Sequence, residues 1–306
     1  MSVKNDDYFF GLKVEKLDLA NLCVVGFPWD ISSTFRKGSK EAPPVIRRIT
    51  SKLYDPFTED GVDLTQIWRI YDYGDVEAAA STDEMRNKVY NVIRDLYSDE
   101  LKFLFLGGDH LITYFSLRAL TQLSKGNWAL IYLDSHPDLE EEYEGDRYGH
   151  GSVVKRLVEE TSLRPQSIVE VGIRSFLPTE RKFADEVGIR IMSTVEFERL
   201  GPEGAAKRVL EFLPNDVDRV YLSIDLDILD PAYAPGLGYP EPGGISTRSL
   251  IDFIYGLRGL EIVAFDVVEL CPQYDSSSIT AMVVGKIILE ALGIMKPSSR
   301  RVSSKL

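Results

Sequence analysis

The sequence Ala129-Leu130-Ile131-Tyr132-Leu133-Asp134-Ser135-His136-Pro137-Asp138 begins as a mostly apolar run and ends in carboxylates around an imidazole. A run of that kind fits a buried parallel strand, and α/β sheets place their ligands in the crevice beyond the carboxyl ends of such strands. Asp134, His136 and Asp138 fall two residues apart, so an extended backbone points all three to one side. On its own the stretch also fits a polar loop that closes a strand.

Two other stretches favour chemistry. Tyr221-Leu222-Ser223-Ile224 runs into Asp225-Leu226-Asp227, another apolar run ending in carboxylates two residues apart. Leu101 to Leu106 runs into Gly107-Gly108-Asp109-His110, where paired glycines let the backbone turn tightly after a strand. The chain has only three histidines. His110 and His136 both sit just past an apolar run and His150 follows a short loop later, an arrangement that scattered core or surface histidines would not produce.

The whole chain reads as alternating strand and helix. Strands are expected at Asn21–Phe27, Gln66–Tyr71, Lys102–Leu106, Ala129–Leu133, Ser167–Ile173, Ile189–Met192, Arg219–Ile224 and Ile262–Val268. Helical spacing marks the segment opened by Pro43-Pro44, then Asp83–Tyr97, Thr113–Leu123, Val153–Val158, Arg181–Val187, Ala205–Leu213, Thr247–Leu257 and Ile279–Leu292. About eight strands separated by helices predict an α/β fold with a parallel, doubly wound or barrel-like sheet, and no linker or repeat divides residues 1–306 into more than one domain. Lys296–Leu306 is expected to be a frayed or subunit-contacting end.

Composition narrows the partners. The chain has 306 residues, 44% of them hydrophobic, without an apolar run long enough to span a bilayer, so a soluble globular protein is expected. Met1-Ser2-Val3-Lys4-Asn5-Asp6-Asp7 lacks the layout of a secretory signal, and two cysteines, Cys23 and Cys271, fit core packing in a reducing, cytoplasmic setting. Asp and Glu outnumber Lys and Arg by 48 to 35, a formal charge of -13 that disfavours duplex nucleic acid and anionic membrane as partners. A metal or a cationic small molecule suits that charge better.

His110, Asp134, His136, Asp138, Asp225 and Asp227 are too many imidazole and carboxylate ligands for one structural zinc. Two hard or borderline divalent ions suit them, with Mn²⁺ favoured because no cysteine takes part. Such a pair, about 3.5–4 Å apart, could hold a bridging hydroxide near neutral pH, which points to hydrolysis. The four motifs Gly107-Gly108-Asp109-His110, Asp134-Ser135-His136-Pro137-Asp138, Ser223-Ile224-Asp225-Leu226-Asp227-Ile228-Leu229-Asp230-Pro231 and Asp266-Val267-Val268-Glu269-Leu270 stand in the order of the ureohydrolase family, which the chain resembles over nearly its whole length. The resemblance, closest to the agmatinase branch, implies a three-layer α/β/α fold with a mostly parallel sheet, two Mn²⁺ per subunit and a trimer or hexamer. It implies that His110, Asp134, Asp138 and Asp225 hold one ion and His136, Asp134, Asp225 and Asp227 the other. It also implies that Glu269 binds a guanidinium, that His150 protonates the departing amine, and that Asp138 belongs to the catalytic set.

The substrate is read from two loops. Leu139-Glu140-Glu141-Glu142-Tyr143-Glu144-Gly145-Asp146-Arg147-Tyr148-Gly149 offers five acids where arginases offer neutral donors for an α-carboxylate, so a cation is expected there. Pro235-Gly236-Leu237-Gly238-Tyr239-Pro240-Glu241-Pro242-Gly243-Gly244 resembles the agmatinase form, with Leu237 and Tyr239 replacing threonines and Gly149 replacing a serine. The expected reaction is hydrolysis of agmatine to putrescine and urea. Arginine, guanidinobutyrate, aminopropylagmatine and formiminoglutamate stand as alternative substrates, and a non-catalytic metal-binding assembly protein as an alternative of another kind.

Overall fold

The computed structural model describes residues 9–143 and 145–297, which leaves Met1–Tyr8, Glu144 and the end segment from Ser298 onward outside the described residues. Eight strands form one sheet: β1 (Leu22–Gly26), β2 (Ile70–Asp75), β3 (Lys102–Leu106), β4 (Trp128–Leu133), β5 (Ile168–Ile173), β6 (Arg190–Ser193), β7 (Arg219–Asp225) and β8 (Ile262–Val268). Their spatial order is β2-β1-β3-β8-β7-β4-β5-β6, and every pairing is parallel. The central strands are buried along their full length, so they read as continuous apolar runs.

Helices cover both faces. One face packs α1 (Ala42–Lys52), α6 (Thr194–Phe212), α7 (Thr247–Gly256) and α8 (Ile279–Ile294) over a core that includes Leu104, Ile131, Leu222 and Phe265. The other packs α2 (Thr82–Leu96), α3 (Leu111–Leu123), α4 (Val153–Glu160) and α5 (Pro178–Val187) over Phe103, Leu130, Tyr221 and Ala264. Alternating strand residues supply the two cores, giving a three-layer α/β/α fold. Among the described residues no helix is long and apolar enough to cross a membrane.

Two elements differ from the sequence expectation. The strand expected at Gln66–Tyr71 forms four residues later, because Leu64–Gln66 is a 3₁₀ turn capped by the Asp63 carboxylate, which accepts from Thr65 N at 3.0 Å. Asp72 and Asp75, past the expected end of the strand, lie inside β2. Arg47 neutralises them from α1, with Nε 2.8 Å from Asp72 Oδ2 and Nη1 2.6 Å from Asp75 Oδ1. The helix expected from Ala205 begins at Thr194, where Ser193 Oγ accepts from Glu196 N, and it breaks at Gly201 (φ 67°) before Pro202. That break hides the first half from a periodicity search.

Gly108 explains why the turn after β3 is built on glycine. A Cβ there would lie 2.0 Å from Trp29 O, a backbone atom that cannot move aside. The close approach lets Asp109 N donate to Trp29 O at 2.8 Å and ties the loop after β1 to the turn that carries His110.

Candidate metal and active site

All eight side chains singled out from sequence, His110, Asp134, His136, Asp138, His150, Asp225, Asp227 and Glu269, line one cavity of about 210 Å³ beyond the carboxyl ends of β3, β4, β7 and β8. Those four strands are far apart in the chain but contiguous in the sheet, in the order β3-β8-β7-β4. His110 stands at the start of α3, Asp134 just past β4, Asp225 at the end of β7, Asp227 in the turn Leu226–Ile228 and Glu269 just past β8. His150 opens the turn before α4.

Two ligand clusters share Asp134. His110, Asp134 and Asp138 form one, and Asp134, His136 and Asp227 the other, each with one ligand atom per residue inside a 4.8 Å span. His110 Nδ1 lies 2.8 Å from Asp134 Oδ2, 3.1 Å from Asp225 Oδ2 and 3.6 Å from Asp138 Oδ2. His136 Nδ1 lies 3.0 Å from Asp227 Oδ2 and 3.6 Å from Asp134 Oδ1. Burial, then the neighbouring Asp227 and Asp134, push the Asp225 carboxyl well above the usual carboxylate range, and burial and Asp134 do the same to Asp138. Like charges this crowded call for cations.

The donor set fits divalent ions on a further ground. Asp134 Oδ2 is buried with no hydrogen-bond donor, although His110 Nδ1 faces it. A buried acceptor of that kind needs an ion or a proton. His110 Nε2 sits 2.8 Å from Ser223 Oγ, and Ser223 Oγ donates to Asp266 Oδ1 at 2.8 Å. That chain holds a proton on Nε2, so Nδ1 is the nitrogen that faces the cluster, as a metal-ligating histidine requires.

Sequence reasoning missed Tyr132, Ser223 and Asp266 as site residues. Parallel pairing aligns Asp266, Ser223, Tyr132 and Glu170 in one row across β8, β7, β4 and β5. Three of them support ligands: Tyr132 OH donates to Asp138 Oδ2 at 2.5 Å, while Asp266 also accepts from Thr113 and Tyr221, each at 2.6 Å. The signal was there, because Tyr132 and Ser223 precede Asp134 and Asp225 by the strand period of two. Thr34, whose Oγ1 lies 3.0 Å from His150 Nε2, carried no such signal.

Glu269 and Asp138 both adopt positive φ, 66° and 50°, a conformation that costs energy for residues with a Cβ and that collects at functional sites. Glu269 Oε1 accepts from His110 N at 2.9 Å and lies 3.6 Å from His150 Nδ1. Burial disfavours a charged His150, but Glu269, with Asp138 and Asp109 behind it, outweighs burial and lifts its pKa to about 9.

The sequence profile of the arginase family matches residues 20–293. The chain belongs to the arginase family. It is 34% identical over 286 residues to the guanidinopropionase of Pseudomonas aeruginosa, covering 91% of this chain and 87% of that one. It is 34% identical over 282 residues to the mitochondrial arginase 1 of Oryza sativa, covering 89% of this chain and 80% of that one. The crystal structure of the agmatine ureohydrolase of Thermoplasma volcanium superposes with a TM-score of 0.82 at 29% identity, covering 94% of this chain and 93% of that one. This arginase-family chain therefore has relatives whose names carry different guanidino substrates.

Proposed function

We propose that this chain hydrolyses a guanidino compound whose far end is an amine, agmatine first, releasing urea and putrescine. The carrying observation is the cavity wall, which holds seven carboxylates and, among the described residues, no lysine or arginine. Arginine and guanidinopropionate bring a carboxylate into that wall, whereas agmatine brings a second cation. Glu140 supports the same reading, because its side chain lines the cavity and makes no hydrogen bond or ion pair with any described residue.

His110, Asp134, Asp138 and Asp225 would hold one divalent ion and His136, Asp134, Asp225 and Asp227 a second, with Mn²⁺ as the proposed metal. Bound there, the ions supply the Lewis acidity that makes water a nucleophile near neutral pH. Glu269 keeps one carboxylate oxygen on His110 N, and its side chain lines the cavity, where the other oxygen would pair with guanidinium N–H groups. His150 Nδ1, beside Glu269, carries a proton to the departing nitrogen. The C–N bond breaks, the C–O bond forms, and both protons of the attacking water end on the amine.

Phe176 and Tyr239 line the mouth at 49% and 43% exposure, so a longer N-substituent on agmatine is the second reading. Urea release from agmatine, aminopropylagmatine, arginine and guanidinobutyrate, measured after Mn²⁺ loading, decides among these. Agmatine or its aminopropyl derivative should be the best substrate; a preference for arginine or guanidinobutyrate would overturn the amine-end assignment. Asp134→Asn should remove activity and bound metal together.

A further inference from the structure

Thr34 and His150 meet although 116 residues separate them. The loop after β1 is pinned from the His110 turn: Ser32 N and Ser32 Oγ donate to Asp109 Oδ2 at 3.0 and 2.6 Å, and Leu111 N donates to Asp109 Oδ1 at 3.2 Å. Downstream, Gly38 N donates to Asp30 Oδ2 at 2.9 Å. With anchors on both sides, Thr34 Oγ1 is held 3.0 Å from His150 Nε2. The opposite nitrogen, Nδ1, faces Glu269 Oε1 at 3.6 Å, and the Tyr143 ring meets the imidazole edge-on at 6.3 Å. The two ring nitrogens therefore look at different chemistry, one at the guanidinium anchor and one at a threonine hydroxyl.

We propose that Thr34 is a positioning residue that accepts a hydrogen bond from His150 Nε2–H and thereby makes Nδ1 the nitrogen that moves protons in the reaction. The proposal rests on the guanidino-hydrolase reading. A neutral imidazole has one N–H, and the partner of one nitrogen decides which tautomer is present. With Nε2–H held by Thr34, Nδ1 has a free lone pair in the neutral ring. It takes a proton of the attacking water there and hands it on to the departing nitrogen, and Nε2–H stays in place throughout. This also assigns a purpose to Asp109, which holds the loop rather than a metal or substrate.

The test uses full-length Thr34→Val and Thr34→Ser proteins. With Mn²⁺ and the best guanidino substrate, Thr34→Val should lose roughly tenfold to a hundredfold in kcat with KM within about twofold, and Thr34→Ser should retain nearly all of it. ¹⁵N NMR of the metal-free protein, recorded above pH 9 so that the His150 ring is neutral, reports the tautomer directly, since the chain has three histidines and His150→Asn identifies the third ring. Wild type and Thr34→Ser should show the Nε2–H form, and Thr34→Val a mixture. Wild-type kcat in Thr34→Val, equal damage from Val and Ser, or a dominant Nδ1–H form in wild type would each overturn the proposal. If wild type hydrolyses no guanidino substrate, the proposed function falls, and the NMR arm still reports on the hydrogen bond.

Discussion

Glu140 shows how differently neighbouring acids in one loop are used. Glu141 is taken up by Lys155 at 3.4 Å and Arg156 at 3.6 Å, and the Asp146 carboxylate caps Tyr148 N at 2.8 Å. Among the described acids of this loop only Glu140 lines the cavity, where burial and then Glu180 raise its pKa. A cationic substrate end would relieve that. Glu140→Gln should therefore cut kcat/KM for agmatine about tenfold, or ~1.4 kcal/mol, while leaving a carboxylate-ended substrate unchanged or improved. Equal losses on both substrates in steady-state assays would remove Glu140 as the discriminating group. Ser223 offers a second test at this scale, through the His110 ring it orients. Ser223→Ala should weaken metal binding roughly 10–100-fold by titration calorimetry; unchanged affinity would mean the relay to Asp266 does not matter. The loop's composition announced a preference for cations, but not which acid would express it, because Lys155, Arg156 and the Tyr148 amide claim their partners only after folding.

At the scale of the element, the polar row under the site is uneven. Asp266, Ser223 and Tyr132 are hydrogen-bonded, whereas Glu170 on β5 is fully buried with neither oxygen partnered. Burial, followed by Asp138 and Asp134, pushes the Glu170 carboxyl well above its usual 4.5. The folded state thus holds a proton that the unfolded chain releases near pH 4.5, and this group's contribution to stability falls as pH rises above that value. Glu170→Met should stabilise the metal-free protein by about 1–3 kcal/mol at pH 8, with the gain shrinking toward pH 4. A melting temperature that does not rise at pH 8, or a gain that is larger at pH 4, would contradict this. Strand identity was plain where burial is complete, as in Lys102–Leu106 and Ile262–Val268, because both faces must be apolar. Its bounds slipped by four residues at the edge strand β2, where Arg47 supplies charge compensation that no local pattern records.

For the molecule as a whole, topology does what no motif can. The motifs appear in the chain on β3, β4, β7 and β8, yet the sheet sets β8 and β7 between β3 and β4, so chain order alone could not give their spatial neighbours. The period-two spacing placed carboxylates at strand ends, and the crossing connections then bring those ends to one crevice. The result is a buried group of like charges whose crowding opposes folding until cations arrive. Metal loading should therefore appear as global stability. Mn²⁺ at a hundredfold excess over its dissociation constant adds about 2.7 kcal/mol per site, worth roughly 4 °C in melting temperature for a chain of this size. Because Asp138 and Asp225 hold protons more tightly than ordinary carboxyls, loading must displace those protons, and the stabilisation should shrink as pH falls. Thermal melts with Mn²⁺ or chelator at pH 8 and pH 6 read this out. Melts indifferent to Mn²⁺ at both pH values, or a stabilisation that grows on acidification, would show that the cluster balances its charge by protons alone.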